Sequence, residues 1–167
     1  LANEAGLSLI IAGRNLAKAK AACAKYAGGS SEFLPQQLDR NGDLEAQLKD
    51  QDIDLIIDVS GPFQVYSKAP YRVVDYASSI GAHYLDIADG SDFVAGISAY
   101  HDKAKKAGVS VISGASTYPA LTSAVVSHLS MNFDSVTDVR SGIAPSPQAD
   151  MGRSVIDATA SYAGKPY

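Results

Sequence analysis

The chain has 167 residues, of which 46% are hydrophobic and 19% charged, and it carries a formal net charge of −4. That length supports a domain with a real core, and the acidic balance argues against nucleic acid or an anionic membrane as a partner. The single cysteine, Cys23, excludes a disulfide within the chain and a cysteine-based zinc site, and fits a reducing cytoplasm; no apolar run approaches the roughly 18 residues that a membrane span needs.

Leu1 to Gly6 reads as the last turns of a helix, with Gly6 as its stop. A helix that is already ending at residue 6 has lost its beginning, so the expectation is an internal fragment. Leu7 to Ala12 is a predicted strand, ended by Gly13-Arg14-Asn15. Asn15 can cap a helix to about Ala27, with Leu16, Ala19, Ala22, Cys23 and Tyr26 at helical spacing. Glu32 to Leu38 is a second strand, and Pro35 places it at an edge. A turn at Asp39 to Gly42 leads into a short helix over about Asp43 to Asp50.

Leu55, Ile56, Ile57 and Val59 form a nearly continuous apolar run, the pattern of a strand buried in a parallel sheet. Ser60-Gly61-Pro62 breaks it. Ligands of open α/β sheets bind outside the carboxyl ends of the strands, so Ser60 to Gln64 is a candidate ligand-facing edge; a plain strand-to-helix turn has the same appearance. A helix is predicted from about Lys68 to Ile80, a strand over His83 to Ile87, a helix over Phe93 to Ala107 and a strand over Val109 to Ser113. Pro119 opens a helix to about Asn132, Val136 to Ile143 reads as a strand, Pro145 and Pro147 break it, and Ser154 to Ala163 is a last helix. Strands alternating with helices mean crossover units: an α/β, Rossmann-like, mainly parallel sheet with helices on both faces.

Arg14 follows the first strand of the chain. In a dinucleotide-binding fold an arginine there accommodates the 2′-phosphate of NADP, where an acid would hold the ribose hydroxyls of NAD. Lys18, one helical turn on, adds a second positive charge; a solvated arginine at a helix start would look alike. Asp39 ends the next strand, where it can accept from an adenine amino group or close an Asx-type turn before Asn41-Gly42. His83 begins a strand whose end Asp86 and Asp89 flank, a pattern that reads first as loop caps and a packed imidazole and second as a group for acid–base work. His101 and His128 complete the histidines, and no spacing among the three suggests a metal site. Gly-Ala-Ser-Thr-Tyr around Ser116 lacks the nucleophile-elbow pattern of serine hydrolases.

Four stretches in order carry a resemblance: Ile10-Ile11-Ala12-Gly13-Arg14-Asn15, Ile57-Asp58-Val59-Ser60-Gly61-Pro62-Phe63, Gly81-Ala82-His83-Tyr84-Leu85-Asp86 and Ser113-Gly114-Ala115-Ser116-Thr117. Together they resemble the saccharopine dehydrogenase-like NADP-binding domain, in its uncharacterised bacterial branch, over nearly the whole chain. The resemblance implies an NADP-dependent oxidoreductase that moves hydride to or from an imine or carbonyl substrate. It places Arg14 and Asn15 by the adenosine 2′-phosphate, Asp39 by the adenine, and Ser60, Gly61 and Phe63 along the path to the nicotinamide. It implies a dinucleotide-binding domain over residues 1–144, and over 145–167 the start of a substrate and dimerisation domain through which the protein could form a homodimer. No position matches a catalytic motif. The family's opening strand, Gly-rich turn and helix start have no counterpart here beyond the helix tail at Leu1 to Gly6. That turn supplies the N–H groups that hold a pyrophosphate, so the chain alone is expected to be inactive. The alternative from another class is a non-catalytic dinucleotide-binding or sensor protein on the same fold.

Overall fold

The structure is a computed structural model that describes residues 1–66, 68–142, 144, 146, 148 and 152–164. The chain divides into two compact units, Leu1–Gln51 and Asp52–Tyr167.

In the first unit, strand β1 (Ser8–Gly13) runs parallel to β2 (Glu32–Gln37), with Ser8 opposite Glu32 and Ile11 opposite Pro35. Among the described residues β2 pairs with β1 alone, which suits a strand that carries a proline without an N–H. Between them lies helix α1 (Leu16–Tyr26), which buries Ala19 and Cys23 against the strands. The side chain of Asn15 accepts from the N–H of Lys18 at 3.1 Å, the N-cap bond that starts the helix. The short helix α2 (Leu44–Leu48) is capped in the same way by Asp43 and buries Leu44 and Leu48. Leu1 to Gly6 is not a helix tail. It forms turns, with Glu4 N–H bonded to Leu1 C=O at 3.1 Å and both the Leu1 and Glu4 carbonyls taken by Ser31 Oγ.

The second unit holds β3 (Leu55–Asp58), β4 (His83–Asp86) and β5 (Val111–Ile112), all parallel, in the order β3-β4-β5. Helix α3 (Arg72–Ile80) follows β3 and packs against β3 and β4 through a face that buries Val73, Val74 and Ala77. It starts four residues later than the sequence pattern suggests. Ala69 precedes Pro70, and a residue before proline is pushed out of the helical region. Gly81 ends it with φ +76°, a left-handed cap that glycine accepts without cost.

The stretch read as one helix over Phe93 to Ala107 is three pieces: α4 (Ser91–Gly96), a 3₁₀ turn (Ile97–Tyr100) and α5 (His101–Ala107). The break falls at Gly96, where a Cβ would collide with the hydroxyl of Tyr71. That hydroxyl donates to the Phe93 carbonyl at 2.9 Å. β5 is shorter than the predicted Val109–Ser113, since it pairs only with β4. A kinked turn at Thr117–Leu121, extended at Tyr118, leads to α6 (Thr122–Ser130), and α7 (Arg153–Ser161) lies against the turn at Phe63–Val65. The strand expected over Val136 to Ile143 is absent from Val136 to Gly142, which is exposed throughout and has no strand to pair with. Ile143, Pro145 and Pro147 lie outside the described residues.

The α/β reading with parallel pairing holds in both units: among the described residues β1 and β2 form a two-stranded sheet in the first, and β3, β4 and β5 a three-stranded sheet in the second. In the second unit Tyr84 and Asp86 point to the face that α3 covers. Register puts Leu55, Ile57, Leu85 and Ile112 on the opposite face, where Leu55, Ile57 and Ile112 are 47%, 43% and 51% exposed.

Candidate functional site

Parallel strands present their carboxyl ends on one side, and each unit gathers candidate residues there. In the first unit the chain leaves β1 at Gly13, passes Arg14 and enters α1 through its Asn15 cap. An open depression at this junction is lined by Gly13, Arg14, Asn15, Lys18, Ala19 and Ala22. The structure therefore brings three expected residues, Arg14, Asn15 and Lys18, to one place. Arg14 and Lys18 are exposed, the first turn of α1 holds no acid, and neither cation is ion-paired among the described residues. Two uncompensated cations at the positive end of an 11-residue helix favour an anion.

Asp39 sits beyond the end of β2. Its Oδ1 accepts from Asn41 N–H at 3.0 Å, and Gln47 holds its backbone on both sides, accepting from its N–H at 2.8 Å and donating to its C=O at 3.0 Å. The carboxylate thus closes an Asx-type turn.

In the second unit, Ser60 follows β3 and stands on Asp58, whose Oδ1 accepts from its N–H at 2.9 Å and from its hydroxyl at 2.6 Å. Tyr66 joins them, with its hydroxyl 3.1 Å from Ser60 Oγ and 3.3 Å from Asp58 Oδ2. Phe63 stands three residues beyond Ser60. Its ring is buried with Ala88 and Phe93, and Tyr66 and Tyr71 pack around it. It anchors the loop that carries Gly61 and Ser60.

Sequence reasoning assigned no role to Asp58 or Tyr66 and left Asp86 open. Asp58 and Asp86 stand opposite each other at the ends of β3 and β4, and both are buried. Asp86 Oδ1 accepts from Ala88 N–H at 2.9 Å, Gly114 N–H at 2.8 Å and Ser113 Oγ at 2.9 Å. One carboxylate thereby joins the loop after β4 to the loop after β5. Gln64 Nε2 donates to Asp89 Oδ1 at 2.8 Å and joins the loop after β3 to the loop after β4. Burial, followed by the carboxylates of Asp58 and Asp86, pushes the phenol of Tyr84 well above its ordinary range. The sequence signal for both acids was present: each ends an apolar strand run with a carboxylate that has no reason to be buried except to accept hydrogen bonds. His83 lies at the opposite end of β4 from Asp86, and its Nδ1 accepts from Ser110 N–H at 2.9 Å. It ties β4 to the chain entering β5, away from this rim. Among the described residues no group of three or more His, Cys, Asp or Glu could hold a metal ion, and no helix is long and apolar enough to cross a membrane.

Parallel β-α-β order with an unpaired arginine and lysine where the first helix leaves its strand defines a dinucleotide-binding α/β domain. Comparison with family models makes the class specific: residues 1–112 match the saccharopine dehydrogenase NADP binding domain, and the chain belongs to that family. NADP is the cofactor of that domain, and the cation pair beside the Asn15 cap suits its extra phosphate. The match stops at Ile112, the end of β5, rather than running nearly the whole chain, so the Ser113 to Thr117 motif falls outside it. No curated protein matches the chain.

Proposed function

We propose that the protein is an NADP-dependent oxidoreductase acting on an imine or carbonyl substrate. The observation that carries this reading is the pair Arg14 and Lys18, exposed and not ion-paired among the described residues, at the start of α1 in a chain of an NADP-binding family. NADP(H) supplies the hydride or accepts it. Arg14 takes the adenosine 2′-phosphate through its planar fork, Asn15 sets the helix start that presents it, and Lys18 adds charge. Asp39 keeps its turn closed and lies by the adenine. Ser60 offers a polarised hydroxyl toward the nicotinamide, with the buried Asp58 behind it. Gly61 and Phe63 line the same path with Ser60. The stretch over 145–167 leads into a substrate and dimerisation domain, and the setting is cytoplasmic.

The test is a spectrophotometric screen of the full-length protein with NADPH against small imines and carbonyl compounds. Cofactor oxidation that depends on the substrate supports the reading. NADPH binding without turnover across the screen would instead favour a non-catalytic dinucleotide-binding or sensor protein.

A further inference from the structure

Asp86 is the most completely buried carboxylate among the described residues, with no exposed surface, and no cation among them pairs with it. A buried charge is tolerated when donors surround it, and here three donors converge on a single oxygen. Two of them belong to the loop after β5, Gly114 N–H and Ser113 Oγ; the third, Ala88 N–H, belongs to the loop after β4. The backbone has adapted to this contact. Gly114 is buried and holds φ +80°, the left-handed region in which glycine is at ease, and from there its N–H reaches Asp86. The other oxygen, Oδ2, takes no part in these three bonds; Tyr84, two residues back on the same face of β4, brings its hydroxyl into interaction with the Asp86 side chain.

We infer that Asp86 is a positioning residue: through Oδ1 it latches the loop after β5 to the loop after β4, so that the carboxyl-end rim of this sheet holds one shape for its ligand. That the rim faces a dinucleotide rests on the function proposed above; the latch itself rests on the three hydrogen bonds. The effect requires an acceptor at Oδ1 and not a negative charge. Asparagine should therefore serve, with its carbonyl in place of Oδ1 and its amide N–H₂ toward the Tyr84 hydroxyl.

The experiment compares the full-length wild type with Asp86→Asn, Asp86→Ala and, as a control for lost stability alone, Val74→Ala in the covered face of α3. Backbone hydrogen exchange is read at Ala88 and Gly114 relative to Leu85 in the β4 ladder, and NADPH affinity by fluorescence titration. Hydrogen bonds to a charged group are strong enough that their loss should speed exchange at Ala88 and Gly114 by about tenfold or more in Asp86→Ala relative to Leu85. Asp86→Asn keeps the acceptor and loses only the charge assistance, so its exchange at Ala88 and Gly114 should lie between wild type and Asp86→Ala. NADPH binding should weaken in Asp86→Ala and survive in Asp86→Asn and Val74→Ala. Equal exchange in Asp86→Asn and Asp86→Ala, or an Asp86→Ala change spread evenly over Leu85 and the two loops, overturns the latch. Should wild type itself fail to bind NADPH, the cofactor reading falls and the exchange ratios still decide the latch.

Discussion

Asn15 shows how much one side chain contributes. Its bond to the Lys18 N–H fixes where α1 begins, and so where Arg14 and Lys18 stand. Removing such a cap costs about 1 kcal/mol. Asn15→Ala should lower stability by about that amount in urea unfolding, while Asn15→Asp retains most of it. Beside the likewise raised phenols of Tyr71 and Tyr84, Tyr100 contributes to alkaline behaviour. Burial, then its hydrogen bond to Asp75, push its phenol from 10.0 to about 12. A folded-state value above the unfolded one means that the native form holds its proton longer. The stabilisation is therefore complete below about pH 10 and is lost as pH rises toward about 12. Tyr100→Phe should flatten the fall in stability across that window, which unfolding midpoints measured at stepped pH will read; an unchanged slope would remove Tyr100 from the account.

Among the elements, Gly96 is where tertiary contact overrides local pattern. It separates α4 from the 3₁₀ turn because Tyr71 lies against it and bonds to Phe93. Gly96→Ala should cost about 1–3 kcal/mol, the range for an overpacked site, and less in a Tyr71→Phe background where the clashing oxygen is gone; a double-mutant cycle by urea unfolding tests this. The case also explains what could be read in advance. α1 and its Asn15 cap, the edge strand with Pro35, the β3 and β4 runs and the Gly81 stop were legible because each signal lies within a few residues. The interrupted helix was not, since Tyr71 is 25 residues from Gly96. The absent Val136 strand has strand-forming residues but nothing to pair with. Of the site, the Arg14–Lys18 cluster was legible from helical spacing. The Asp58–Ser60–Tyr66 group and the Asp86 latch depend on strand register and loop-to-loop contacts, which no local pattern encodes. The packing of Phe63 against Phe93 was not legible either, since the two are 30 residues apart.

At the scale of the molecule, the open face of β3-β4-β5 sets the behaviour of the chain on its own. Leu55 and Ile57 on β3 and Ile112 on β5 flank Leu85 on one face and are all exposed, an apolar patch of the kind that marks an interaction surface. The isolated chain should enhance the fluorescence of an apolar dye, and the double variant Ile57→Ser with Ile112→Ser should reduce it. The central claim is that the chain carries NADP by its extra phosphate, at Arg14. A charge-assisted guanidinium–phosphate bond contributes roughly 1.5–3 kcal/mol, about tenfold to somewhat over a hundredfold in affinity. The most direct measurement is a fluorescence titration of NADPH and of NADH against the full-length protein and its Arg14→Ala variant. The account predicts that Arg14→Ala weakens NADPH by that factor and leaves NADH nearly unchanged; equal weakening of both nucleotides, or none, would contradict it.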